Sequence, residues 1–394
     1  MTTKTAQNFE RWIRSEFREL NTELENLYFA EQPRDVVSGI GNEFKQQLYA
    51  AGNQHIERLI REGNTDEGFD SGFELLGNVG FFMAACRRHE IGDPLSPNEP
   101  AMQKASALAM QLGASLGVTP RFASAHLETH NLAIDGRYKS FTSLDDEALF
   151  LEYNIRGVFA FIRASEALRH CLPLGISHPV TFDLLTQARK ALDDVAVSNA
   201  ALFKKLDADR FFYSVRPYYK PHYVGAVEYR GANAGDFAGI NVVDLLLGLC
   251  RADDPYYSQM LVEKFLYMRP DDQLVLRDCM RRPSLLDQFL DAQQELAGRD
   301  WYQRNAEAFL QACAAHGRVA SQHHDMLVSK FIEQPSVAAG VTDKADLTAS
   351  GPPLPVLLKS LQRLRDLRNA ADVPDIGSRH QDIKLIKASL EKSA

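Results

Sequence analysis

Apolar residues recur along this chain at the three-and-four spacing of a single helix face. Between residues 7 and 25, Phe9, Trp12, Ile13, Phe17 and Leu20 form one amphipathic stripe. The same period predicts helices over 36–62, 72–89, 102–116, 145–169, 182–206, 240–251, 255–267, 300–332 and 355–369. Strand-like alternation is scarce. Its best instance is 223–229, bounded by Pro221 and Gly231. Polar stretches rich in Gly or Pro at 90–100, 135–143, 172–179 and 334–353 read as loops, and the last is long enough to suggest a binding lid. The expected class is therefore all-α.

Composition sharpens this picture in two places. Across 394 residues, 44 Lys+Arg against 52 Asp+Glu leave a net charge of −8. That balance argues against a general nucleic-acid partner, which needs a basic face. No apolar run reaches the ~18 residues that span a bilayer, and Met1-Thr-Thr-Lys-Thr5 leads into a polar helix rather than a signal peptide. The expected compartment is the cytoplasm, with no membrane partner. Five cysteines, scattered at 86, 171, 250, 279 and 313, form no CxxC pair. They suit small core residues better than a disulfide framework or structural zinc. Without CxxCH, any haem would be held without thioether bonds.

The eleven histidines are the next place to look. No HExxH or paired ExxH occurs. His55, His89, His170, His178, His222 and His380 stand near polar or loop positions and read as solvated or locally bonded. His126 and His130 lie four apart, as two metal ligands on one helix would, but no third ligand is evident. His324 sits mid-helix ahead of Leu327, Val328 and Phe331. An imidazole on such a face is either an ordinary core histidine or an axial haem ligand, and spacing alone does not decide. Arg216, closely preceded by Phe211, Phe212 and Tyr213, is either a carboxylate fork beside stacking rings or a surface arginine snorkelling over aromatic core. The turn Tyr229-Arg-Gly-Ala-Asn-Ala-Gly235 lacks a nucleotide-binding pattern. At Thr348-Ala-Ser-Gly-Pro-Pro353, the Ser350 hydroxyl could meet a polar ligand at the end of the long loop.

Taken in order, these elements resemble a known family. His324-Asp-Met-Leu-Val-Ser-Lys-Phe-Ile332 is similar to the proximal-histidine helix of the indoleamine and tryptophan 2,3-dioxygenase superfamily. Phe211-Phe-Tyr-Ser-Val-Arg216 resembles its carboxylate-binding element. Gly231-Ala-Asn-Ala-Gly235 with Val243-Asp-Leu-Leu-Leu-Gly248 resembles its glycine turn and following helix, and Phe265-Leu-Tyr-Met-Arg-Pro270 a further phrase. Within the superfamily the likeness is greatest to the ring-rearranging enzymes of pyrrolnitrin biosynthesis. Val79 to His89, Ser140 to Ala148 and Arg216 to Gly225 carry that likeness, and the whole covers roughly residues 65–358.

The resemblance implies an all-α, multi-helix haem-binding bundle, with a small helical N-terminal domain over 1–142 and a larger catalytic domain over 143–394. It implies non-covalent haem b with His324 as proximal iron ligand and Asn233, in place of the turn's serine, as a second haem-binding residue. Arg216, Phe211 and Ser350 would bind the substrate: carboxylate, ring and ammonium respectively. The expected partners are tryptophan or a related aromatic amino acid, dioxygen, an electron donor such as a reductase, and a second copy of the chain. The loop departs from the family pattern, since Gly351 precedes Pro352 and Pro353, which have no N–H to donate. The expected activity is a haem-dependent oxygenase or rearranging enzyme of secondary metabolism. Two alternatives stay open, a haem-binding or ligand-sensing protein without turnover and a helical scaffold without haem. Arg216 favours the enzyme, because a gas or haem sensor needs no carboxylate clamp.

Overall fold

The helical period holds in space. A computed structural model of the chain describes residues 3–63, 68–92, 102–232, 236–340 and 352–391. Helices dominate, and the only sheet among the described residues is a two-stranded hairpin. The fold is all-α. Helices Phe69–Arg88, Gln103–Leu116, Pro255–Phe265 and Leu354–Arg368 start and stop within a few residues of the apolar pattern that predicts them.

Departures have local causes. The expected first helix is two, Lys4–Arg14 and Glu16–Ala30. Ser15 breaks it by turning its hydroxyl back to the Arg11 carbonyl at 2.8 Å, a bond that competes with the helical ladder. The expected helix over 300–332 is α-helical only through Asp300–Ser321 and continues as a π-helix over Gln322–Glu333. The expected strand is a hairpin, His222–Val224 against Val227–Tyr229, with His222 opposite Tyr229. Gly225, at φ 62, supplies the left-handed turn residue that a two-residue connection needs. Helices Pro270–Cys279, Leu285–Leu296 and His380–Glu391 fall where the periodic pattern was too short or too polar to be read.

Contacts divide the chain into two compact units, each assembled from three stretches. The first comprises residues 1–152, 205–236 and 330–354; the second comprises 153–204, 237–329 and 355–394. The division at 142/143 follows chain order, whereas this one follows packing. In the first unit an aromatic column runs Phe122–Phe81–Phe141–Tyr218, with successive ring centres 4.7, 4.6 and 4.4 Å apart. The second unit has a continuous apolar core including Leu168, Leu192, Val243, Leu246, Phe289 and Phe309. All five cysteines are buried and unpaired, as small core residues are. No helix among the described residues is long and apolar enough to cross a membrane.

Candidate active site

In the first unit the segment that bears Phe211 and Arg216 is built from irregular helix. Asp207 caps a short turn by accepting the Arg210 N–H at 2.7 Å. A π-helix follows over Phe211–Val215, then a 3-10 turn over Arg216–Tyr219. Pro217 drives the change, because it has no N–H with which to continue a regular ladder. Phe211 is buried, with its ring centre 4.9 Å from that of Phe150 and 5.9 Å from that of Phe331.

Arg216 is the unusual member. It is 8% exposed, its guanidinium lies 5.1 Å from the centre of the Phe212 ring, and among the described residues no carboxylate pairs with it. Burial pushes its pKa down to about 10, with nothing nearby to restore it. A buried fork without a counter-anion is costly to keep. It is also what a site for an external carboxylate requires.

His324 belongs to the second unit, on the π-helix that prolongs Asp300–Ser321. Its Nδ1 stands 2.7 Å from Asp325 Oδ1, and the same oxygen accepts Arg365 Nη1 at 2.8 Å. A carboxylate oxygen only accepts, so Nδ1 carries the proton and the lone pair is on Nε2. Nε2 has no hydrogen-bond partner among the described residues. This is the donor arrangement an iron-ligating imidazole needs: one nitrogen fixed by a carboxylate, the other free to coordinate. The residues present therefore fit haem b with a single protein ligand. No cluster of three or more His, Cys, Asp or Glu that could hold a bare metal occurs among the described residues.

A family model described as monodechloroaminopyrrolnitrin synthase PrnB matches residues 3–390. The chain belongs to this family. Monodechloroaminopyrrolnitrin synthases share the all-helical fold of the tryptophan and indoleamine dioxygenases, and the family is one of haem-dependent, oxygenase-like enzymes.

In this family member, Asn233 and Ser350 lie outside the described residues, but both flanks of the turn bearing Asn233 are fixed. Arg121 donates to the Arg230 and Gly231 carbonyls at 2.7 and 3.1 Å and pairs with Asp236, which also accepts the Ser124 hydroxyl. A Cβ on Gly231 would fall 1.8 Å from the Tyr219 carbonyl oxygen, so only glycine allows this approach to the segment that bears Arg216. Arg216 and Phe211 thus share one short segment of the first unit, and His324 is in the second.

Other histidines resolve differently from their sequence context. His126 accepts the Ala123 N–H at Nδ1 (3.0 Å) and donates from Nε2 to the Phe73 carbonyl (2.9 Å), which leaves no lone pair for a metal. His130 Nε2 stands 3.5 Å from Asp70 Oδ1, and its ring meets that of Phe73 edge-on at 4.9 Å. His89 is no solvated histidine. It is fully buried, with Nε2 at 2.7 Å from Asn21 Oδ1 and Nδ1 at 3.0 Å from the Tyr28 hydroxyl. His222 is buried as well, which pushes its pKa down to about 3.

One polar centre went unread. In the second unit the buried Asp244 accepts His316 Nε2 at 2.6 Å, Nε and Nη2 of the partly exposed Arg368 at 2.8 Å, and the Tyr257 hydroxyl at 2.7 Å. The available signal was an aspartate inside the apolar run Val242-Val-Asp-Leu-Leu-Leu247.

Proposed function

We propose that this family member is a haem b-dependent oxygenase or rearranging enzyme that acts on tryptophan or a related indole amino acid with dioxygen, in secondary metabolism. The family's name, a synthase of monodechloroaminopyrrolnitrin, supports the metabolic setting. The observation that carries the substrate class is Arg216, a buried guanidinium with no carboxylate of its own. A sensor of gas or haem would gain nothing from that arrangement.

His324 Nε2 holds the iron, and Asp325, backed by Arg365, holds Nδ1 and keeps the ring in one tautomer. Bound haem supplies dioxygen binding and activation; the chain supplies orientation and a dry site. The Arg216 fork takes the substrate carboxylate in a two-pronged bond, and Phe211 offers an aromatic face for the indole. Fixing both ends of the substrate makes one ring position the reacting one. Asn233 toward haem and Ser350 toward the substrate ammonium complete the assignment.

Reconstitution with haemin tests the ligand. The wild type gives a histidine-ligated Soret band and His324→Ala loses it; an unchanged band moves the assignment to its neighbour, His323. Mass spectrometry after mixing the reduced haem protein, oxygen and a panel of aromatic amino acids tests the chemistry. It distinguishes ring cleavage, which adds two oxygen atoms, from hydroxylation, from rearrangement and from no turnover.

A further inference from the structure

We propose that Arg87 and Arg88, which nothing in the family assignment singles out, are positioning residues that set the direction of the Arg216 guanidinium and so the preference of the site for a carboxylate-bearing substrate. The proposal rests on the reading of Arg216 above. Its basis is a deficit of donors in the clamp segment. In a continuing helix the Tyr213 carbonyl would accept from the N–H four residues on, but that residue is Pro217. In an α-helix the Pro217 carbonyl would look to Pro221, which again has no N–H, and in the observed 3-10 turn only to Lys220 at its very end. Two prolines spaced by four thus leave two carbonyls spaced by four without an α-helical donor. One lies three residues before Arg216 and the other one residue after it.

Two consecutive arginines at the end of helix Phe69–Arg88 supply what is missing. Arg88 Nη2 donates to the Tyr213 carbonyl at 2.9 Å, and Arg87 Nη2 donates to the Pro217 carbonyl. Arg88 is itself immobilised, since its Nε and Nη2 bond the two oxygens of Glu25 at 2.8 and 2.9 Å, out of solvent. The next residue, His89, approaches the Tyr218 hydroxyl at 3.4 Å. Two successive residues at one helix end therefore hold the backbone on both sides of Arg216, and the residue after them meets the Tyr218 side chain. A guanidinium at the end of a long side chain is aimed only as well as its backbone is held, and a misplacement of about 1 Å is enough to lose a two-pronged bond.

Arg87 is the residue to vary, because removing Arg88 would strand a buried Glu25 and endanger folding. The full-length, haem-reconstituted protein is titrated calorimetrically with L-tryptophan and with tryptamine, which lacks the carboxylate. The wild type prefers the acid. Arg87→Ala is expected to weaken L-tryptophan at least about tenfold, the scale of one hydrogen bond to a charged group, and to leave tryptamine and the Soret band unchanged. Arg87→Lys, which keeps a donor for the Pro217 carbonyl, is expected to recover most of the preference. A merely structural role would lower both ligands together, and that result overturns the proposal. So does an Arg87→Ala protein with the wild-type ratio. A wild type without preference for the acid overturns the Arg216 reading first, and the two failures are thereby told apart.

Discussion

Arg368 and Arg216 are both arginines largely withdrawn from solvent, and they differ in whether the chain supplies a counter-charge. Burial alone would push both guanidinium pKa values down. Around Arg368 in the second unit, Asp244 more than restores the loss: two bonds of 2.8 Å lift Arg368 above its ordinary value and hold the Asp244 carboxyl below its own despite its burial. Around Arg216 in the first unit nothing does so, and its value stays at about 10. Arg88 and Arg121 are likewise each paired with a buried carboxylate of the chain, Glu25 and Asp236. Buried charge in this protein is normally paid for by a carboxylate from the chain. At Arg216 no carboxylate among the described residues does so, which is the ground for the proposal that the substrate supplies it.

The largest effect should come from breaking the paired site. Arg368→Ala leaves the buried Asp244 with His316, Tyr257 and the Cys250 thiol but no arginine, and should cost about 3–5 kcal/mol in a denaturant titration, as removal of one partner of a buried ion pair does. A cost near zero would mean that Asp244 is held by other donors and that the contrast with Arg216 is false. Next comes the histidine end of the second unit. Asp325→Asn replaces the acceptor of the His324 Nδ1 proton and should weaken haem binding roughly 10–100-fold, as such supporting contacts do. Competition with a haem-binding protein measures it, and unaltered affinity would leave Asp325 without a role.

Acid sensitivity follows from the first unit's buried histidines. Burial depresses the pKa of His89, His126 and His222 in the folded state. Their stabilising contribution is present above the unfolded value near 6.5 and is lost as pH falls, each by about 1.4 kcal/mol per pH unit. Glu147 works in the opposite sense. Burial raises it from its ordinary value of 4.5 to about 7, so its contribution is present at low pH and is lost as pH rises through 7. Three histidines outweigh one carboxyl, and unfolding free energy should fall from pH 6.5 to 5. His222→Gln should flatten that slope by about 1.4 kcal/mol per unit, and an unchanged slope would show that His222 is protonated when folded.

How much of this was readable beforehand depended on range. Period 3.6 located most helices because it is a property of a dozen neighbouring residues. The break at Ser15 and the hairpin at Gly225 were also local, yet each turns on a single residue that periodicity averages away. The π-helix around His324 was not legible, since its wider ladder is a choice of backbone pairing, not of composition. His89 looked polar beside Arg87 and Arg88, but its partners Asn21 and Tyr28 are more than sixty residues away. Arg216 was picked out by its aromatic neighbours and by family resemblance. What no local pattern contained was that it would be buried without a counter-charge.

The smallest effect on stability is expected at Arg216 itself, and there the account is tested most directly. Arg216→Met removes a buried cation with no partner to strand, so the folded protein should be as stable as the wild type or about 1 kcal/mol more so. Calorimetric titration of the haem-loaded wild type and Arg216→Met with L-tryptophan and tryptamine is the decisive measurement. The wild type should bind the acid more tightly than the amine, and the variant should bind the two alike. A variant that keeps the preference for L-tryptophan, or one destabilised as much as is expected of Arg368→Ala, would contradict the assignment of Arg216 to the substrate.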